Sequence, residues 1–316
     1  MKQLRKFKLL IDNYLYDLKR FWHYSSAIKP IKELVQLEAK IDARYHNIEK
    51  GLTFSEVKLG FGKEKIELLL GFLDQYQQSG FDQSRRSFQT ALSVLAEYIK
   101  YHEEQNFNVD WLKKKVRKYT YKHKFSGGTK EVSRFDLVSK QNGNFKDLAF
   151  NRHSIRNFSS EKVELSQIRE AVAIAQMSPS VCNRQSSLVH IVNDETLKKK
   201  TLEIHKGNSG FGHLASSLLI VTSDMRTFTG IGERNQCYID GSLFGMTLTY
   251  ALHSLGLATC IMNWSVTKGT DISLHALLKI PDHEVIMFII AVGHYPEKLL
   301  VAKSIRKNLE DIITIH

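Results

Sequence analysis

Over the first hundred or so residues, apolar positions recur every three or four residues. Leu4, Phe7, Ile11, Tyr14, Leu18 and Phe21 form the first stripe, the period of an amphipathic helix. Pro30 interrupts this helix or starts a new one, and "IKELVQLEAKIDARYHNIEKGL" keeps the helical period until Gly51, which is expected to end it as a C-cap. "KEKIELLLGFLDQYQQ" and "SRRSFQTALSVLAEYIKYHEE" follow, separated by Ser79 and Gly80. From Lys113 to Lys146 the periodicity fades into a basic run, the pair Gly127 and Gly128, and turn-like "SKQNGNF". Beyond it the pattern changes. Helical "ELSQIREAVAIAQM" leads to Pro179, and "SLVHIVND" and "HLASSLLIVTSD" read as strands on either side of helical "LKKKTLEIHKG". A long apolar helix over 235–258, with Gly241 and Gly245 four apart, precedes strands in "TCIMNWSV" and "HEVIMFIIAVGHY". The pattern predicts a helical N-terminal region over 1–146 that ends in a basic linker. It predicts an α/β or α+β domain over 147–316.

Charge sharpens that division. Residues 1–150 hold 28 Lys and Arg against 18 Asp and Glu, a net of +10; residues 151–316 hold 17 against 15, a net of +2. An acidic partner is therefore expected at the first half. Its first helix carries Lys2, Arg5, Lys6 and Lys8 beside its apolar stripe, a combination suited to a membrane surface. The stripe would serve equally to dock the helix on its neighbours. "WLKKKVRKYTYKHK" interleaves seven Lys or Arg with two tyrosines, but no nucleic-acid-binding motif accompanies it, so no specific nucleic-acid partner is expected. Cys182, Cys237 and Cys260 are scattered and odd in number, which points away from a disulfide framework and toward a reducing cytoplasm. No apolar run approaches the ~20 residues of a membrane span. Dinucleotide, phosphate-loop, nucleophile-elbow and zincin motifs are lacking. His46, Glu49 and Lys50 share one helical turn, but no third metal ligand is spaced to join them, and no metal site is expected.

Two stretches carry candidate chemistry. "NRHSIRNF", over 151–158, packs Arg152, His153, Ser154 and Arg156 together; its guanidinium groups and hydroxyl suit a phosphate. "SPSVCNRQ", over 178–185, is a polar turn rich in amide groups. In register with these come "YIDGSLFGMTLTYALHSLGLATC", "LLKIPDHEVIMFIIAVGHYPEK" and "SIRKNLEDI". Together they resemble the nitroreductase family of FMN-dependent oxidoreductases over roughly residues 148–314, which implies an α+β fold, a sheet flanked by helices, behind the N-terminal helical region. "YHNIEKGL" resembles an N-terminal extension found on nitroreductase-like proteins of bacterial polysaccharide-biosynthesis loci.

The resemblance implies the following roles. Arg152, His153, Ser154 and Arg156 hold the FMN phosphate and ribityl chain. Pro179, Ser180, Val181 and Asn183 form the turn that reaches the flavin of the other subunit of a homodimer, with Gln185 at its end. Asn208 meets the pyrimidine edge of the ring, and Arg306, helped by Lys303, returns to the phosphate. NAD(P)H would be the donor and a small organic molecule the acceptor, with no catalytic side chain required. Two departures stand out. The family's Pro-Glu-Gly turn over the flavin is replaced by "IMNWSVTKGTD", leaving Asn263 and Trp264 to shape the pocket, and Ser186 and Ser187 stand where Pro-Trp is usual. The alternative is an FMN-binding or partner-binding module with altered catalysis.

Overall fold

The computed structural model describes residues 2–24, 30–31, 33–120, 125–139, 144–228 and 231–316. The chain forms two compact units: residues 1–130 with 300–316, and residues 131–299. The compact division falls at 130/131, inside the stretch over 113–146 where the helical periodicity fades. The C-terminal stretch packs with the helical unit: the Lys303 N–H donates to the Gly128 carbonyl at 3.0 Å. The turn expected over 139–145 and the end of the basic run lie partly outside the described residues.

The helical unit contains α1 (Lys2–Tyr24), α2 (Leu34–Leu52), α3 (Lys63–Gln78), α4 (Arg86–Glu104) and α5 (Asp110–Val116). The predicted stripes of α2 to α4 meet in one core, where Leu37, Ile41 and Ile48 pack with Ile66, Leu69 and Leu73 and with Phe88, Leu92 and Leu95. Gly51 does not stop its helix. It lies inside α2, and a Cβ there would fall 2.1 Å from the Phe61 ring, so glycine is required by the close approach of that ring. "YHNIEKGL" has a structural role here as well. Glu49 is fully buried and its Oε1 accepts the Gly128 N–H at 2.8 Å, while Oε2 meets His46 Nδ1 at 3.3 Å. Ser93 donates to the Gly127 carbonyl, and Glu97 accepts the Thr129 N–H at 2.8 Å. The two glycines thus form a turn clasped by α2 and α4.

Beyond α5 the chain runs from β1 (Thr129–Ser133) through α6 (Arg134–Ser139), α7 (Phe145–Asn151), α8 (Leu165–Ala175), β2 (Ser187–Val192) and α9 (Glu195–His205). It then runs through β3 (Ser217–Asp224), α10 (Gln236–Ser254), β4 (Leu257–Asn263), α11 (Lys268–Leu278), β5 (Glu284–His294) and into β6 (Lys298–Ala302). β1 and β6 form a two-stranded sheet; the main sheet has the order β2-β3-β5-β4. Each of its pairings is antiparallel, which makes the fold α+β. β3 and β5 are central and read as near-continuous apolar runs because both are buried along almost their whole length. α8 and α10 cover the sheet through Ile168, Ala171, Phe244, Leu248 and Leu252, packed on Leu219, Val221, Ile290 and Val292.

Gly241 and Gly245, four apart in the sequence, lie on one face of α10. They face inward: a Cβ on Gly241 would lie 2.7 Å from Met287, and one on Gly245 2.2 Å from the Phe288 ring. The glycines bring α10 onto its own β5.

Candidate active site

The first stretch is fixed by the sheet. Arg152 caps the C-terminus of α7, its N–H donating to the Leu148 carbonyl at 3.1 Å. The chain then runs extended beside β4. The Ile155 N–H donates to the Thr259 carbonyl at 2.8 Å, and the Ser159 N–H to the His294 carbonyl at 3.0 Å. Ile155 and Phe158 are buried as a result, with the Phe158 ring in the space left by Gly293. Arg152, His153 and Ser154 stay half-buried, whereas Arg156 is only 8% exposed.

Arg156 is the notable member. Its Nη1 reaches the Ser154 carbonyl at 3.5 Å, a long contact, and its Nε is buried with no hydrogen-bond partner. A buried guanidinium donor left unpaired costs about 1–3 kcal/mol or more. An anionic acceptor would remove that cost, so the donor set Arg152, Ser154 and Arg156 fits a phosphate. Arg152 brings its charge toward a buried pair, His253 and Tyr295, whose Nδ1 and hydroxyl oxygen lie 2.9 Å apart. Burial, and then the Arg152 charge, lower the His253 pKa to about 4; burial raises that of Tyr295.

The second stretch is a strained turn. Cys182, Asn183 and Gln185 all take left-handed backbone angles, with φ of 50°, 53° and 49°. Few non-glycine residues adopt this region, and asparagine does so most readily. The surroundings hold it there. The Val181 N–H donates to Asp240 Oδ2 at 3.1 Å and the Gln185 N–H to Ser180 Oγ at 3.0 Å. Arg184 pairs with Glu233, donates to the Thr227 carbonyl at 2.8 Å and lies over the Phe228 ring. Pro179, Ser180, Gln185, Ser187, Asp240 and Phe244 line a cavity of about 90 Å³. Cys182 is exposed, at a left-handed position of this turn.

Asn208 borders a different, open groove of about 700 Å³ with Lys199, Lys206 and His213. Its amide nitrogen donates to the Leu202 carbonyl. Trp264 donates to Asp271 Oδ1 at 2.7 Å and stacks on His205, which itself meets the Asn263 carbonyl at 2.9 Å. Lys303 and Arg306 belong to the helical unit. There Lys303 Nζ donates to Ser126 Oγ at 3.2 Å, and Arg306 donates to the Ser304 carbonyl at 3.0 Å.

Sequence reasoning passed over Asp240, which is only 3% exposed and also accepts from Gln236 at 2.8 Å. Its signal was present: it is the lone carboxylate of the longest apolar helix. Arg184 and Glu233 gave no comparable signal, since they are 49 residues apart and meet only after folding. Among the described residues, no group of three or more His, Cys, Asp or Glu could hold a metal ion. Among them too, no helix is long and apolar enough to cross a membrane.

Comparisons with known proteins bear on the same region. The family model described as "Nitroreductase family" matches residues 149–208. The iodotyrosine dehalogenase 1 homolog of Caenorhabditis elegans is 29% identical over 194 residues, covering 52% of this chain. The chain spans 59% of the length of that relative. Among solved structures, a nitroreductase family protein from Streptococcus pneumoniae TIGR4 is 19% identical with a TM-score of 0.45, covering 55% of this chain and 100% of that one. The FMN-dependent nitroreductase of Clostridium difficile R20291 is 18% identical with a TM-score of 0.42, covering 52% and 88%. The family match takes in both the guanidinium-bearing stretch and the strained amide turn, so both candidate stretches lie in the part of the chain that is similar to the nitroreductase family.

Proposed function

We propose that the second unit binds FMN and works as an oxidoreductase, passing two electrons from NAD(P)H to a small organic acceptor. The observation that carries this reading is the buried, partnerless Arg156 Nε within the segment that the family model matches. When bound, FMN would supply the two-electron chemistry. The chain's part is to bind and orient it. Arg152, Ser154 and Arg156 would hold the phosphate through charge-assisted hydrogen bonds. Because Ile155 is pinned to β4, these groups are ordered before the ligand arrives, and little ordering entropy is lost on binding.

The ring requires a second chain. A cavity of about 90 Å³ is well below the ~300–1,000 Å³ typical of ligand pockets. The amide turn that borders it is tethered to α10 through Asp240, and the outer face of α10 exposes Tyr238, Ile239 and Leu243. An exposed apolar face next to an unfinished pocket fits a homodimer in which the turn of one subunit, with Asn183 and Gln185, completes the pocket of the other.

The test is an absorbance spectrum of the purified protein, taken before and after anaerobic NADH or NADPH. A panel of a quinone, a nitroaromatic, an enone and a halogenated phenol would then be offered as acceptors; the last is included because of the dehalogenase homolog. Bound flavin that is bleached by the nucleotide and recoloured by an acceptor is expected. Flavin that stays oxidised would reduce the reading to a flavin-binding module with altered catalysis. A protein that refuses added FMN would overturn it.

A further inference from the structure

We propose that α1 is an interfacial anchor, docking the protein on the surface of an anionic lipid bilayer. The argument is independent of the flavin. At 100° per residue, Leu4, Phe7, Ile11, Tyr14, Leu15 and Leu18 fall within one arc of about 100°, the width of a core-facing stripe. In a globular protein such a stripe is buried. Here it is not: Leu4 is 74% exposed, Phe7 61% and Leu18 58%, and Ile11, Tyr14 and Leu15 are each more than 40% exposed. None of them belongs to the core that α2 to α4 build. The helix is 23 residues long, enough to lie along a membrane surface, but too charged to cross one.

Charge selects the occupant. Within 2–24 the sequence has six Lys or Arg (Lys2, Arg5, Lys6, Lys8, Lys19 and Arg20) against Asp12 and Asp17, a net of +4. Arg5, Lys6, Lys8 and Lys19 are exposed and fall outside the apolar arc. A second copy of the same helix would meet this rim with like charge. A nucleic acid would use the charge and leave the apolar stripe in water. An anionic bilayer satisfies both faces at once: headgroup phosphates take the cations while the stripe sinks into the acyl boundary. The bulk of the excess positive charge of the chain also lies in its first half, where it adds attraction over a Debye length of about 10 Å.

The experiment is sedimentation of the full chain with vesicles of 30% phosphatidylglycerol in phosphatidylcholine, against vesicles of phosphatidylcholine alone. Two variants accompany it, Leu4→Ser/Phe7→Ser/Ile11→Ser and Arg5→Glu/Lys6→Glu/Lys8→Glu. Circular dichroism and mass by light scattering are measured on each. Expected are co-sedimentation with the anionic vesicles alone, a loss of at least ten-fold in both variants, and an unchanged mass. Three results would overturn the proposal. One is equal sedimentation with both vesicle types, or with neither. Another is a drop in oligomer mass in the serine variant, which would assign the stripe to a second copy. The third is vesicle binding that survives the serine substitutions, which would leave charge alone at work.

Discussion

At the scale of single residues, two buried groups set measurable expectations. Arg156 has a guanidinium nitrogen with nothing to bond, and hydrogen bonds to charged groups contribute about 1.5–3 kcal/mol each. Arg156→Ala should weaken FMN retention roughly ten- to hundred-fold, and Arg152→Ala/Arg156→Ala should abolish it with helical content intact. Unchanged flavin occupancy after dialysis would remove the phosphate role. His253 sets the second expectation. Its folded pKa of about 4 lies below the ordinary 6.5, so the folded protein keeps the ring neutral while the unfolded chain takes the proton first. This group therefore leaves stability level above pH 6.5, lowers it as pH falls from 6.5 toward 4, and leaves it level again below. Its share is about 2 kcal/mol between pH 7.5 and pH 5. Urea unfolding at the two pH values should show the difference, and His253→Gln should reduce it by that amount.

At the scale of elements, the glycines and one carboxylate make the claims. Gly245→Ala puts a methyl group into the Phe288 ring, an overpacking that costs about 1–3 kcal/mol, more than the ~1 kcal/mol gained in helix propensity. Gly269→Ala in α11 meets open space and should stabilise by about 0.5–1 kcal/mol. Opposite signs of change in urea midpoint would confirm that α10 is held to β5 by its glycines; like signs would deny it. Glu49→Ala strands the buried Gly128 N–H at a cost of about 1–3 kcal/mol. Glu49→Gln keeps an acceptor there and should cost less. Equal losses in the two variants would point to the charge of Glu49 rather than its hydrogen bond.

At the scale of the whole molecule, the expectation concerns two chains. Subunits bearing Arg156→Ala and subunits bearing Asn183→Ala each damage a different half of the proposed composite site. Mixed and reassembled, they should recover flavin to about one site per heterodimer, because one of its two sites draws both halves from undamaged chains. If no flavin returns, the turn serves its own subunit and the cross-chain geometry is wrong.

The sequence alone determined the order of the longer elements, α2 to α4, α8 to α10 and β2 to β5, and the two candidate stretches, whereas the short α5 to α7, α11, β1 and β6 gave no pattern long enough to read. Helical period in α2 to α4 and continuous apolar runs in β3 and β5 are local signals, and each was strong enough to read before folding. The residues proposed to hold the phosphate stood out for the same reason, as charged groups crowded within a few positions. Tertiary structure decided what depends on distant partners. Gly51, Gly241 and Gly245 have meanings set by Phe61, Met287 and Phe288, which no local pattern connects to them. Asp240 holds a turn 59 residues away in the chain, and Glu49 a glycine 79 residues away. A buried carboxylate must find donors wherever the fold brings them, so its partners are written in the packing and not in the neighbouring sequence.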